Sequence, residues 1–127
     1  MRAAHILPFC LIACTGTPVE GTLPEGIYGS PDLGLTIDAS GDASFVRSCG
    51  VGELGVVSVK DGTLDADFLW VVTGGDPMPD TATYEGAPAR VSAQVTTTRV
   101  WGTIDSGGEL QDIDLDWGER PTYFECP

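Results

Sequence analysis

The chain has 127 residues, with 19 acidic and 6 basic side chains and a net charge of −13 at pH 7. A field of that sign repels nucleic acid and anionic membrane surfaces and suits cations or a basic partner. A hydrophobic content of 42% supports a core, the length is that of one domain, and 17 glycines with 9 prolines fall short of a disordered composition.

Met1-Arg2 leads into an apolar segment, Ala3 to Ala13, about half the ~20 residues a helix needs to cross a bilayer. The segment ends in Leu11-Ile12-Ala13-Cys14. A basic start, a short apolar run and small or branched residues before a cysteine resemble the lipobox of bacterial lipoprotein signal peptides. His5 and Pro8 depart from a uniform apolar run, and an ordinary secretory signal is the alternative. The resemblance implies that residues 1–13 form a signal peptide and that Cys14 becomes the lipidated first residue, carrying palmitate-type chains. It also implies a cell-envelope location, in the outer membrane if the organism has one. Two acyl chains suffice for stable anchoring, since each buried CH₂ contributes roughly 0.8 kcal/mol.

Of the four cysteines, Cys10 leaves with the signal and Cys14 is consumed by lipid. Cys49 and Cys126 remain, an even pair in an oxidising compartment. A disulfide between them closes most of the domain, on the order of 4 kcal/mol in the chain-entropy model. Two separate buried thiols are the alternative.

Residues 14–24 contain Gly16, Pro18, Gly21 and Pro24 and read as a lipidated cysteine with a flexible tether. Residues 25–127 read as a β-domain. Gly26-Ile27-Tyr28-Gly29 is a short first strand. Leu33, Leu35 and Ile37 alternate with polar or small residues, the period of a half-buried strand. Ser40-Gly41-Asp42 turns the chain into Ala43 to Ser48. Glu53 to Lys60 is a Val-rich strand. Asp61-Gly62 is the strongest hairpin signal, because a type I′ turn needs positive φ at both central residues. Leu64, Ala66, Phe68, Trp70 and Val72 then share one face.

Thr73 to Pro88 is the longest irregular stretch, and long loops in small domains are often functional. Its Gly74, Gly75, Asp76, Asp80, Tyr84 and Glu85, with Arg90 just beyond, form the candidate contact surface. The acidic, proline-rich composition suits an envelope protein with a basic surface. Val91 to Val95, Arg99 to Ile104 and Asp112 to Trp117 complete the strands. About eight strands with tight turns predict an all-β single domain. The expected topology is an antiparallel meander forming a small barrel or strongly curved sheet, with a sandwich as the alternative.

The spacing of Leu33-x-Leu35-x-Ile37, Cys49, Gly52-x-Leu54, Lys60-Asp61-Gly62-x-Leu64, Gly74-Gly75, Pro88-Ala89-Arg90, Ser92-x-x-Val95, Gly118-x-x-Pro121 and Cys126 resembles a loosely related group of small, uncharacterised exported bacterial β-domain proteins. Val91 and Ala93 stand where that group has an aromatic and a glycine. The resemblance implies the fold and the disulfide, and no activity.

The only histidine, His5, lies in the signal. Histidine-based nucleophilic systems and histidine metal sites therefore have no residues to use in the mature chain. Asp112-x-Asp114-x-Asp116 places Trp117 where a calcium loop wants glycine, and in a strand the three form an acidic stripe on one face. Asp38 and Asp42 flank a turn. Arg47, Arg90 and Arg99 are notable among so few basic residues, with Arg90 expected to pair with strand carboxylates. Trp70, Trp101 and Trp117 read as core or rim packing. The expectation is a non-catalytic structural or protein-binding module, anchored to the membrane by lipid, with no metal or cofactor. A small barrel carrying an apolar or amphipathic ligand is the alternative.

Overall fold

Alternation of apolar and polar residues builds the whole molecule. The computed structural model describes residues 16–72 and 86–122. Its strands are β1 (Gly21–Thr22), β2 (Gly26–Gly29), β3 (Gly34–Ile37), β4 (Asp42–Arg47), β5 (Gly50–Val56), β6 (Ser58–Val59), β7 (Thr63–Val72), β8 (Ala87–Val95), β9 (Arg99–Ser106) and β10 (Glu109–Trp117). Eight of them close into an antiparallel barrel in the order β10-β2-β3-β4-β5-β7-β8-β9, while β1 and β6 pair as a separate small sheet. Of the architectures open to the sequence, the barrel is the one adopted.

The faces separate over most of the barrel, although Val56, Leu69 and Leu110 are exposed on the outside. Leu64, Phe68 and Trp70 of β7, Ala89, Val91, Ala93 and Val95 of β8, and Ile113 and Leu115 of β10 are buried inside. Asp65, Asp67, Arg90, Ser92 and Gln94 stand outside. An apolar interior within a wall that is charged over β7, β8 and β10 is the reverse of a transmembrane barrel. Among the described residues no helix is long and apolar enough to cross a membrane.

An eight-stranded barrel is just wide enough to be filled by side chains, and here aromatic residues do much of the filling. Phe45, Phe68 and Trp70 cluster with ring centroids 5.1 to 6.2 Å apart. The bulk fits because β5 turns glycine inward against it. Gly52 pairs with Trp70, and a Cβ at Gly52 would come within 2.5 Å of the Phe68 ring. Trp117, expected as core or rim, is at the rim and 39% exposed, its ring edge on Tyr28 at 4.9 Å.

The hairpins alternate between two ends. One end carries the turns β2–β3, β4–β5 and β9–β10, and the departure of the chain from β7 and its return to β8. The other carries the turns β3–β4 and β8–β9 and the Asp61-Gly62 hairpin, whose residues have φ of 53° and 75° as expected. That second end is closed by the segment read as a tether. Pro18 bridges Thr96, the Val19 amide donates to the Val95 carbonyl at 3.0 Å, and the Gly62 amide donates to Val19 at 3.1 Å. The Asp61 amide donates to Glu20 Oε2 at 2.8 Å. Val19 and Leu23 are buried. From Thr17 onward the segment is thus part of the folded body, because Val19 and Leu23 give it an apolar side to bury. Cys14 lies outside the described residues.

Two further boundaries differ from expectation. The stretch Glu53 to Lys60 is two strands: β5 stays with β4 to Val56, Gly55 takes φ 70°, and β6 leaves to join β1. The β8 strand begins at Ala87, not at Val91. Pro88 is tolerated there because β8 pairs with β9 only from Arg90 onward, leaving its first residues at a local edge.

Tyr28 ties the barrel to its closed end, its buried hydroxyl donating to the Thr96 carbonyl at 2.9 Å. Burial pushes its pKa up from 10.0 to about 12. The folded value lies above the unfolded one, so this contribution is intact below pH 10 and is lost as pH rises through about 12. In a spectroscopic alkaline titration one tyrosine should ionise late, near pH 12. Tyr28→Phe should abolish that late step and lower stability by about 1 kcal/mol in urea unfolding.

Candidate functional site

The outer wall was expected to hold ion pairs, and it does. Arg90 reaches Asp65 at 2.8 Å and Asp67 at 3.0 Å, all three largely exposed. Arg99 grips Asp114 with two bonds of 2.7 and 3.0 Å and lies 4.6 Å from the Trp101 ring centroid. The hydrogen bond from Arg99 holds the Asp114 carboxyl below the usual range. Hydrogen bonding from Ser40 does the same for Asp38, which organises its turn. Asp112, Asp114 and Asp116 form the exposed outer stripe of β10. Among the described residues no group of three or more potential metal ligands gathers. Of the candidate contact residues, Arg90 is thereby a wall residue, and Gly74, Gly75, Asp76, Asp80, Tyr84 and Glu85 lie outside the described residues.

The other end of the barrel shows a different constellation. Register places Trp70 beside Ala87, Ser106 beside Glu109 and Ile104 beside Gln111. Directly opposed residues share a face of the sheet, and Trp70 and Ile104 are inward. These side chains therefore ring the mouth of the barrel. Arg47 joins them, on the same face of β4 as buried Ala43 and Phe45. A cleft of about 390 Å³ opens there, lined by Arg47, Trp70, Ala87, Ser106, Glu109, Leu110 and Gln111.

The Arg47 guanidinium carbon stacks 3.9 Å from the centroid of the Trp70 ring. The space for its stem exists because β5 starts with glycine: a Cβ at Gly50 would come within 2.9 Å of Arg47 Nε. Trp70 is 5% exposed, and its buried Nε1 has no hydrogen-bond partner. An unpaired buried donor costs about 1–3 kcal/mol, and it is the one such side-chain atom among the described residues. Among the described residues Arg47 forms no ion pair of the kind that engages Arg90 and Arg99. The cleft is thus lined by an arginine outside the ion pairs of the wall and by the tryptophan that carries the unpaired donor, in a protein rich in carboxylates.

Sequence reasoning placed Trp70 inside and noted Arg47, but did not join them. The signal was present in the alternation Ala43, Phe45, Arg47, which turns the arginine inward.

No protein-family model matches the chain, and comparison with curated proteins and with solved structures returns no match.

Replacing Arg47 by Met keeps the stem and removes the cation. Arg47→Met should retain the far-ultraviolet spectrum of the barrel and lose roughly 0.5–1 kcal/mol in urea unfolding.

Proposed function

We propose that this chain is a lipid-anchored, non-catalytic module of the bacterial cell envelope, held at the membrane by one end of its barrel and binding through the other. The observation that carries the reading is the docking of Thr17 to Leu23 on the closed end. Gly16 sits there against Thr97 and Thr98, and Cys14 is two residues earlier, within about 7 Å of extended chain. An acylated Cys14 then holds the closed end at the bilayer surface and turns the Arg47–Trp70 mouth away from it. The charged outer wall suits a body that stands on the membrane.

The same reading pairs Cys49 with Cys126. Cys49 stands in the β4–β5 turn at the open end. The chain after β10 crosses outside Gly29 and Gly34 to that end, where the Thr122 amide donates to the Pro31 carbonyl at 2.8 Å. Four residues from Thr122 to Cys126 span up to about 13 Å, enough for the roughly two strand spacings to Cys49.

A binding role is favoured over carriage in the interior because the barrel is filled by its own side chains. The connection between β7 and β8 leaves and returns beside the mouth, so its acidic residues suit a basic protein partner at the working end.

Expressed in a bacterium with its own leader, the protein should partition into detergent. Mass spectrometry should find acyl chains on Cys14 and a Cys49–Cys126 peptide. Cys14→Ala should abolish partitioning, and equal partitioning of that variant would sink the anchoring. Replacing residues 75–85 by a short Gly-Ser turn should remove envelope partners in pull-down; a folded variant that keeps them all overturns the contact surface.

A further inference from the structure

The geometry points to the barrel mouth as a binding site for a small organic monocarboxylate, its carboxylate held by Arg47 and Trp70 Nε1. This deepens the reading above and rests on it only for the choice of working end. The cleft, at about 390 Å³, falls in the ~300–1,000 Å³ range of small-molecule sites. It combines an apolar floor and wall, from Trp70, Ala87 and Leu110, with two donors that the protein leaves unmatched.

The donors suit a carboxylate. Arg47 stacks on Trp70, which uses the face of the guanidinium and leaves its in-plane N–H groups for a planar, two-oxygen acceptor. The indole is a donor only, so it too requires an acceptor from the ligand. Reaching it requires the guanidinium, 3.9 Å above the ring, to swing on its flexible stem toward the incoming carboxylate. A cationic ligand would meet Arg47. A purely apolar one would match neither donor. Glu109, also in the lining, opposes a second negative charge, so the ligand carries a single carboxylate on a compact apolar body. The net charge of −13 lowers the local concentration of any anion and so weakens its binding.

The test is a ¹⁵N NMR titration of the purified chain with acetate, butyrate and benzoate, and with benzamide as the neutral control for benzoate. One indole N–H resonance should move saturably with butyrate and benzoate, together with the Arg47 Nε–H resonance. Trp70→Phe should remove that indole resonance and so identify it. Benzamide should bind at least about tenfold more weakly, as should benzoate to Arg47→Gln. If Trp70→Phe fails to fold, Arg47→Gln carries the decision, since it keeps the indole and removes only the charge. The proposal is overturned if none of the three carboxylates gives a saturable shift, if benzamide matches benzoate, or if Arg47→Gln binds as tightly as the wild type. Saturable shifts confined to Trp101 or Trp117 overturn it as well. No membrane or protein partner enters this titration, so its failure leaves anchoring and partner capture standing, and their failure leaves the cleft standing.

Discussion

The match between glycine on β5 and aromatic bulk on β7 sets everything else in this barrel. Gly52 faces Trp70 across the ladder, and the Phe68 ring occupies the volume a Cβ on Gly52 would need. With Phe45 the two rings form one aromatic cluster inside the barrel. A larger residue at Gly52 would push the aromatic rings off their rotamers or spread the strands, and overpacking of that kind costs roughly 1–3 kcal/mol. The native packing occupies the interior with the protein's own side chains. It leaves the mouth, where the aromatic column ends in the Trp70 ring and Arg47 lies across it.

A filled barrel still needs its ends managed, and the two are managed differently. At one end Val19 and Leu23 insert as a plug, with backbone bonds to Val95 and Gly62 that leave little strand edge open. Tyr28 locks that plugged end through Thr96. At the other end the inward positions carry Arg47, Ser106, Glu109 and Gln111 in place of apolar residues. Polar residues at inward positions give up burial energy, and such departures from pattern concentrate at functional places. The asymmetry sets an apolar, plugged end against an end lined by polar side chains.

Much of this was legible in the sequence. Alternation located β7 and β10, the Asp61-Gly62 pair fixed a type I′ hairpin, and the number of strands pointed to a closed sheet. The misses have physical causes. Val56-Val57-Ser58-Val59 reads as the continuation of one Val-rich strand, and only the pairing of β6 with β1 reveals the break. Pro88 disguised the start of β8, because a local edge cannot be seen without the neighbouring strand. Pro18, Gly21 and Pro24 hid the burial of Val19 and Leu23, whose partners lie some forty to eighty residues away. The mouth needs more still: Arg47, Trp70 and Gln111 come together only when β10 and β2 close the ring.

Charge placement explains how a protein of net charge −13 can hold a cationic site. Arg90 and Arg99 stand on the outer wall, each bound to aspartates of neighbouring strands. There they reduce repulsion along the ladders and are screened by solvent, and exposed pairs of this kind stabilise by at most about 1 kcal/mol. Arg47 is placed otherwise, on the inward face, with an aromatic ring beneath it instead of a carboxylate. A guanidinium there keeps its hydrogen-bonding capacity, and the low-dielectric aromatic floor strengthens whatever it engages. Moving the same charge to the outer wall would leave the net charge unchanged and abolish the difference. The position of Arg47 in the alternation, and not the number of basic residues, is what separates the mouth from the rest of this acidic surface.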